Sequence, residues 1–264
     1  MLGLGLGLNR NTGALNRPLL QQIPNAVAGY SLNRLTSTAT STIRVYRDSD
    51  MAEMDIGLIV NKLDTASLLA FAGSGSAFVV SWTDQTNNGN NAIQSVAENC
   101  PRIVNNGVLE VDSNGDVSMF FDGANDFLRN TTLGIITQPN TIVAKFETIV
   151  SLSNAFVVDG TSNNRQVIYN NNGQHAVFAG TKLDYEAISL NETKVFTAVF
   201  NGSNTDVYKD GGGKITGNAG TLSLENLSIG VSKDDLSHFS GYISDIIIFN
   251  RALTQAEATK LNRL

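Results

Sequence analysis

Two stretches of this chain place oxygen-bearing side chains at spacings that binding chemistry uses. Trp82-Thr-Asp-Gln-Thr-Asn-Asn-Gly-Asn-Asn91 offers a carboxylate at Asp84 and amides at Gln85 and Asn90, next to an indole. Such groups hydrogen-bond sugar hydroxyls, and Trp82 can stack on a sugar ring. The same residue types lock tight turns by bonding nearby backbone N–H groups. Turn-locking is the expected role, with Trp82 as a core anchor. Asp112-Ser-Asn-Gly-Asp116 sets oxygens at alternate positions, like the start of a calcium loop. Position six is Val117 rather than Gly, and position twelve is Gly123 rather than Glu. A two-residue Asn-Gly hairpin explains the same letters, and it is the expected structure. Asp122 and Asp126 form a second acidic loop, able to hold a cation or simply to turn the chain between Phe120, Phe121 and Phe127. His175 and His238 are far apart, so a histidine-based metal site has little to build on. Cys100 is the only cysteine, which excludes an internal disulfide and multi-cysteine zinc sites.

The elements that must position these residues are strands. The chain has 264 residues, of which 42% are hydrophobic, enough for a sizeable core in one all-β unit. Charged residues make up only 16%, below the roughly 25% of ordinary soluble proteins, and 30 asparagines take their place. The net charge of −6 argues against nucleic acid, whose binding draws on Lys and Arg. No apolar run approaches the roughly 18 residues that a membrane span needs. The start of the chain is not read as a signal peptide, because it lacks a basic leader and a small-residue cleavage site. In residues 1–24, Leu2, Leu4, Leu6 and Leu8 alternate with glycines, so on a strand the leucines would share one side. This stretch is expected to be an extended arm, held by its own sheet or by a neighbour. A short helix is predicted over 64–72, capped at Asp64 or Thr65. Strands are predicted over 43–47 and 77–82. Beyond Ile103 they follow at 108–111, 117–121, 141–150, 155–158, 166–169, 175–179, 194–200, 205–209, 227–231 and 242–249. Asn114-Gly115, Asn172-Gly173, Asn201-Gly202 and Gly211-Gly-Gly213 punctuate them. Thr254-Gln-Ala-Glu257 is a capping box that opens a terminal helix. The predicted fold is an all-β sandwich with one or two short helices.

The Trp82–Asn91 stretch is similar to the W-Y-D-Q-S-G-N-G motif of α-L-arabinofuranosidase B-type catalytic domains. The similarity continues through Tyr30–Leu35, Ile43–Asp50, Pro101–Val104 and Phe121–Leu128. Gly241-Tyr-Ile-Ser-Asp-Ile-Ile-Ile-Phe-Asn-Arg-Ala-Leu253 resembles the closing strand of laminin-G-like jelly rolls. Together these imply a concanavalin A-like jelly roll over residues 25–264, behind an arm at 1–24. Thr83 stands where the family has Tyr, and Thr86-Asn87-Asn88 replaces Ser-Gly-Asn. Retaining glycosidases need two carboxyl groups about 5–5.5 Å apart. The resemblance puts the acid/base at Asp234, beside Asp235. It puts the nucleophile near Val167–Gly173, a stretch without a carboxylate. No enzymatic activity is therefore expected.

Similar jelly rolls occur in phage virion proteins, and Leu/Gly-rich starts resemble those of phage structural proteins. The first expectation is thus a non-enzymatic virion structural protein, a capsid decoration or a head- or tail-associated fibre module. It would be made in the host cytoplasm, displayed on the virion surface as a homo-oligomer, and anchored to other virion subunits by Leu2, Leu4, Leu6 and Leu8. The alternative is a lectin-like module for host glycans, which requires exposed aromatics such as Trp82, Tyr169 or Tyr185. Trp82, Asp84, Gln85, Asn90 and Asp234 are its candidate site residues. An arabinofuranosidase-like hydrolase ranks third. No cofactor is expected, calcium at the acidic loops aside, and neither nucleic acid nor membrane is an expected partner.

Overall fold

A computed structural model describes residues 17–264. The expected all-β sandwich is present. One layer runs from Lys214–Gly217 through Thr205–Lys209, Thr193–Phe200 and Asn140–Thr148 to Ser240–Phe249. The far side of that last strand pairs with both Ala26–Ser31 and Met119–Asp122. The second layer starts at Lys182–Ala187 and continues through Gln174–Phe178, Val167–Asn171, Asn154–Asp159, Leu224–Ile229 and Leu128–Ile136. Ala92–Ile93, Ala77–Trp82, Ser41–Arg47 and Glu53–Ile59 complete it. Arg102–Asn105 pairs with Ala77–Trp82 and with Met119–Asp122, so it links the layers. Every pairing is antiparallel.

The inner faces share one core, in which Trp82, Phe121, Phe146, Phe196, Phe200 and Phe239 are fully buried or nearly so. Local chemistry matches the sequence where it carries its own signal. Asp64 accepts the Ser67 N–H at 3.0 Å and caps the helix Thr65–Ala72. The Thr254/Glu257 capping box opens the helix Gln255–Leu261. Asn172 and Gly173 both have positive φ and form the two-residue turn between Val167–Asn171 and Gln174–Phe178.

The structure differs from the sequence expectation at the start of the chain and in several strands. Leu2, Leu4, Leu6 and Leu8 lie outside the described residues. The end of the expected arm belongs to the body: Leu19–Gln22 is a short helix, and Leu19, Leu20 and Ile23 are buried against Leu35, Val143 and Phe249. Apolar burial, not arm-like extension, thus sets the boundary of the domain. The strands Glu53–Ile59, Leu128–Ile136 and Lys182–Ala187 were also not predicted. The first and last lie at sheet edges, where half-exposed, charged sequences blur the two-residue alternation. Leu128–Ile136 carries a register shift between Asn130 and Ile135 that breaks it. Among the described residues no helix is long and apolar enough to cross a membrane.

Candidate functional site

The Trp82–Asn91 loop turns its chemistry inward. Trp82 is fully buried, its ring 5.7 Å from that of Tyr30. Asp84 accepts the backbone N–H groups of Gly29 (3.0 Å), Thr86 (2.9 Å) and Asn90 (3.2 Å). The Gln85 carbonyl accepts from the Leu35 N–H at 2.7 Å, and its amide donates to the carbonyls of Ser31 and Asn33. The Asn90 amide donates to the Val27 carbonyl at 2.9 Å, and the Tyr30 hydroxyl donates to the Asn90 carbonyl. The loop is a latch that fastens Ala26–Ser31 and the segment after it. Asp234 is not part of this group. It lies exposed in the hairpin after Leu224–Ile229, and Lys233 donates to both its oxygens. The five candidate glycan residues do not form one group: Asp84, Gln85 and Asn90 form the latch, Trp82 lies in the core, and Asp234 stands apart.

The acidic loops hold protein groups. Asp112 accepts the N–H groups of Asn114 and Asp116, and the Lys145 ammonium lies 2.9 Å from Asp116 and 3.9 Å from Asp112. Lys145 is 3% exposed, so its ammonium supplies the positive charge that a calcium ion would bring there. The Asp126 carboxylate accepts the Asp122 N–H at 2.9 Å. Burial pushes Asp126 up to about 7. Among the described residues no group of three or more His, Cys, Asp or Glu could hold a metal ion. His175 is buried edge-on against the rings of Phe146 and Phe196. The Asn170 amide donates to Thr148, so its carbonyl faces His175 Nδ1 at 2.8 Å and takes that N–H. Burial, with Lys194 and Lys209 nearby, pulls His175 down to about 4. His238 is half-buried beside Phe127. Burial pushes the Cys100 thiol up to about 12, and its S–H faces the Gln94 and Val96 carbonyls.

Outward-facing chemistry collects on the other side of the ladder formed by Asn154–Asp159, Val167–Asn171, Gln174–Phe178 and Lys182–Ala187. Side chains alternate faces along a strand. Ile168 and Val177 point into the core, while Phe156, Val167, Tyr169, Ala176 and Phe178 form a separate apolar cluster. Cross-strand register places Phe156 opposite Tyr169 and Val167 opposite Phe178. The Phe156 and Tyr169 rings stack at 5.2 Å with 21° between their planes. Phe156, Arg165, Val167, Tyr169 and Phe178 line a shallow cavity of about 130 Å³. The Arg165 guanidinium lies 5.3 Å from the Phe156 centroid and 5.9 Å from that of Phe178. Its Nε donates to Asp159 at 2.8 Å and its Nη2 to the other oxygen. Asp159 is fully buried and also accepts the N–H groups of Gly160 and Lys233. Burial pushes Asp159 up to about 6 while Arg165 and these N–H groups oppose it, so it is ionised at neutral pH. Asn154, Asn171, Lys182 and Asp184 make a polar border.

Of the aromatics that the lectin expectation requires to be exposed, Trp82 is fully buried, and Tyr169 lies on this face but is only 8% exposed. Tyr185 packs against Phe196 and donates to the Gly213 carbonyl. Phe156, Arg165, Val167 and Phe178 were not singled out from the sequence. The signal that could have found them is the outer parity of the strands, with Phe156, Tyr169 and Phe178 on alternate positions to Ile168 and Val177. Two larger depressions lie elsewhere, about 370 Å³ beside Arg17, Arg34, Lys62 and Arg263, and about 500 Å³ beside Asn88, Asn90 and Ile135. No aromatic ring lines either, and Arg34 there is committed to the Val60 and Ala39 carbonyls.

The family profile described as concanavalin A-like lectin/glucanases superfamily matches residues 125–259, just over half of the chain. None of the curated proteins compared matches the sequence. Among solved structures, an arabinofuranosidase complexed with arabinofuranosyl-α-1,2-xylobiose is similar over 92% of this chain and 63% of its own, at 13% identity and a TM-score of 0.73. A GH54 α-L-arabinofuranosidase soaked with a cyclic sulfate inhibitor gives the same coverage, 12% identity and a TM-score of 0.72. A glutamate-to-glutamine mutant of a GH54 α-L-arabinofuranosidase soaked with 4-nitrophenyl α-L-arabinofuranoside gives the same coverage, 13% identity and a TM-score of 0.74. The chain thus spans less than two thirds of the length of these proteins, and at this identity the likeness is one of fold.

Proposed function

This chain belongs to the concanavalin A-like lectin/glucanases superfamily, and from that premise we propose that it is a non-hydrolytic glycan-binding module whose site is the outer aromatic cavity. One observation carries the reading. The cavity is lined by Phe156, Arg165, Val167, Tyr169 and Phe178, with no acid among them, in the segment where the enzyme resemblance puts a nucleophilic carboxylate. Phe156 and Tyr169, 9% and 8% exposed, offer only their ring edges as a small apolar patch to a sugar, and Arg165 with the border amides offers donors to hydroxyl oxygens. Glycosyl transfer to the protein needs a carboxylate at the anomeric carbon, and Val167 cannot supply one. Asp159, the nearest buried carboxylate, is held by Arg165 and two backbone N–H groups. Exposed Asp234 is paired with Lys233. The virion role rests on Leu2, Leu4, Leu6 and Leu8, outside the described residues, so the glycan reading has the stronger support.

A glycan array followed by titration tests it. Sugar binding is expected, and Tyr169→Ala should weaken it at least about tenfold, roughly 1.4 kcal/mol, with the circular dichroism of the fold retained. No arabinose or nitrophenol should be released from aryl arabinosides. Turnover that Asp234→Asn abolishes would overturn the non-hydrolytic half. Binding that Tyr169→Ala leaves intact would remove the site.

A further inference from the structure

Independently of the glycan reading, we infer that the depression beside Arg17, Arg34, Lys62 and Arg263 is an anion site that takes a phosphate or sulfate group. The arginines of this chain fall into two sets. Arg44, Arg47, Arg102, Arg129, Arg165 and Arg251 are each ion-paired with Asp or Glu. Among the described residues, the other arginines, Arg17, Arg34 and Arg263, have no such partner, and all line this one depression of about 370 Å³. Residues 1–16 contain no Asp or Glu, so that stretch cannot supply the missing carboxylates. Lys260, a lysine in the same condition, lies one turn before Arg263 on the helix Gln255–Leu261. Gathering like charges is unfavourable, and this chain, with 24 acidic residues against 18 basic ones, has acids to spare. The cations come from separate segments that the fold brings together: the entry to Leu19–Gln22, the link after Ala26–Ser31, the hairpin after Glu53–Ile59 and the exit of Gln255–Leu261. Neutral acceptors hold them in place. Arg34 Nε donates to the Val60 carbonyl at 2.7 Å and its Nη1 to that of Ala39. Arg263 Nη2 donates to Gln22 Oε1 at 2.7 Å, and the Gln22 amide donates to the Arg17 carbonyl at 2.7 Å. These contacts fix the guanidinium groups without cancelling their charge. Asp116, the one acidic side chain of the lining, lies 3.7 Å from Lys62 and is bonded at 2.9 Å to the buried Lys145, which balances it. A concave wall of this kind concentrates a positive field. Guanidinium groups with uncancelled charge, approaching from several sides, suit the several oxygens of a tetrahedral oxyanion. The Asn33 and Asn61 amides on the same lining add neutral donors.

The full chain is titrated with inorganic pyrophosphate and followed by NMR at low and high salt. Amide shifts are expected at Asn33, Asn61, Lys62 and Arg263 and not at Tyr169, and binding should weaken as salt rises. Arg263→Gln changes an exposed residue beyond the last helix, where folding is not at stake. It should weaken binding at least about fivefold. Lys182→Gln removes the same charge from the edge strand of the other layer and should change binding less than about twofold. A hexose phosphate and a hexose sulfate then separate the two sources of the oxyanion: the tighter one names the ester, and either order supports the site. Equal losses in Arg263→Gln and Lys182→Gln overturn the inference, because overall charge then explains the binding. Shifts confined to other residues, absence of binding, or failure of both esters to bind also overturn it. Citrate binding as tight as pyrophosphate binding overturns the assignment to a tetrahedral group. None of these outcomes bears on sugar binding at the outer cavity, which the glycan array tests separately.

Discussion

The Trp82–Asn91 loop and the outer aromatic cavity use overlapping chemistry to opposite ends. In the loop, an indole, a carboxylate and amides converge as they would around a sugar, yet each polar atom of Asp84 and Gln85 that matters is bonded to backbone, and both residues are less than 5% exposed. In the cavity, phenyl and phenol rings with one guanidinium face away from the core, and a buried carboxylate behind them holds the guanidinium in place. The difference lies in what the backbone needs. Between Ala26–Ser31 and Leu35 the chain has N–H and C=O groups without ladder partners, and the loop side chains satisfy them. The ladder under the cavity is fully paired by its own strands, so its outer side chains are not needed by the backbone and pack into an apolar cluster of their own.

Removing Asp84 should give the largest effect. Asp84→Ala leaves the buried Gly29 N–H and the part-buried Thr86 and Asn90 N–H groups without an acceptor, for a loss of about 3 kcal/mol in chemical denaturation. Sugar affinity of the remaining folded protein should not move. A mild loss of stability together with lost sugar binding would reverse the roles of the two regions.

The second effect is one of pH and sharpens the contrast between the two faces of the ladder. His175 lies on the inner side of the strands that carry the cavity. Its folded value of about 4 is below its ordinary 6.5, so the unfolded chain binds the extra proton between these values. Stability from neutral His175 is full above about 6.5 and is lost as pH falls towards 4, by up to about 3 kcal/mol. Comparing the denaturation of wild type and His175→Gln at pH 7 and pH 4.5 isolates this share. Parallel losses in both proteins would place the acid sensitivity elsewhere.

The smallest expected effect is none. Trp82 is the only tryptophan, and it is fully buried in the core beside the latch. Its emission should be blue-shifted and should stay fixed when a sugar saturates the cavity. A sugar-dependent shift would restore the loop as a binding site.

Much of the fold was legible in the letters. Ala77–Trp82 and Thr205–Lys209 have the predicted bounds, and the Asn-Gly turn at 172–173 and the caps at Asp64 and Thr254 are where the residue types put them. These features rest on interactions within a few residues, so the local sequence fixes their geometry. The candidate site was legible only at Tyr169. Phe156, Val167 and Phe178 were not distinguishable there, because an apolar residue in an apolar run carries no mark of which sheet face it will occupy.

By itself, the sequence determined an antiparallel sandwich of low charge and a 167–173 segment without a carboxylate. The tertiary structure alone decided that Lys145 is the cation of the acidic loop, that Asp159 holds Arg165 against two rings, and that the Asp84 carboxylate turns inward. Each of those outcomes joins residues brought together by strand register across the sheets. Register is set by the simultaneous burial of both inner faces, a condition on the whole chain that no short stretch contains.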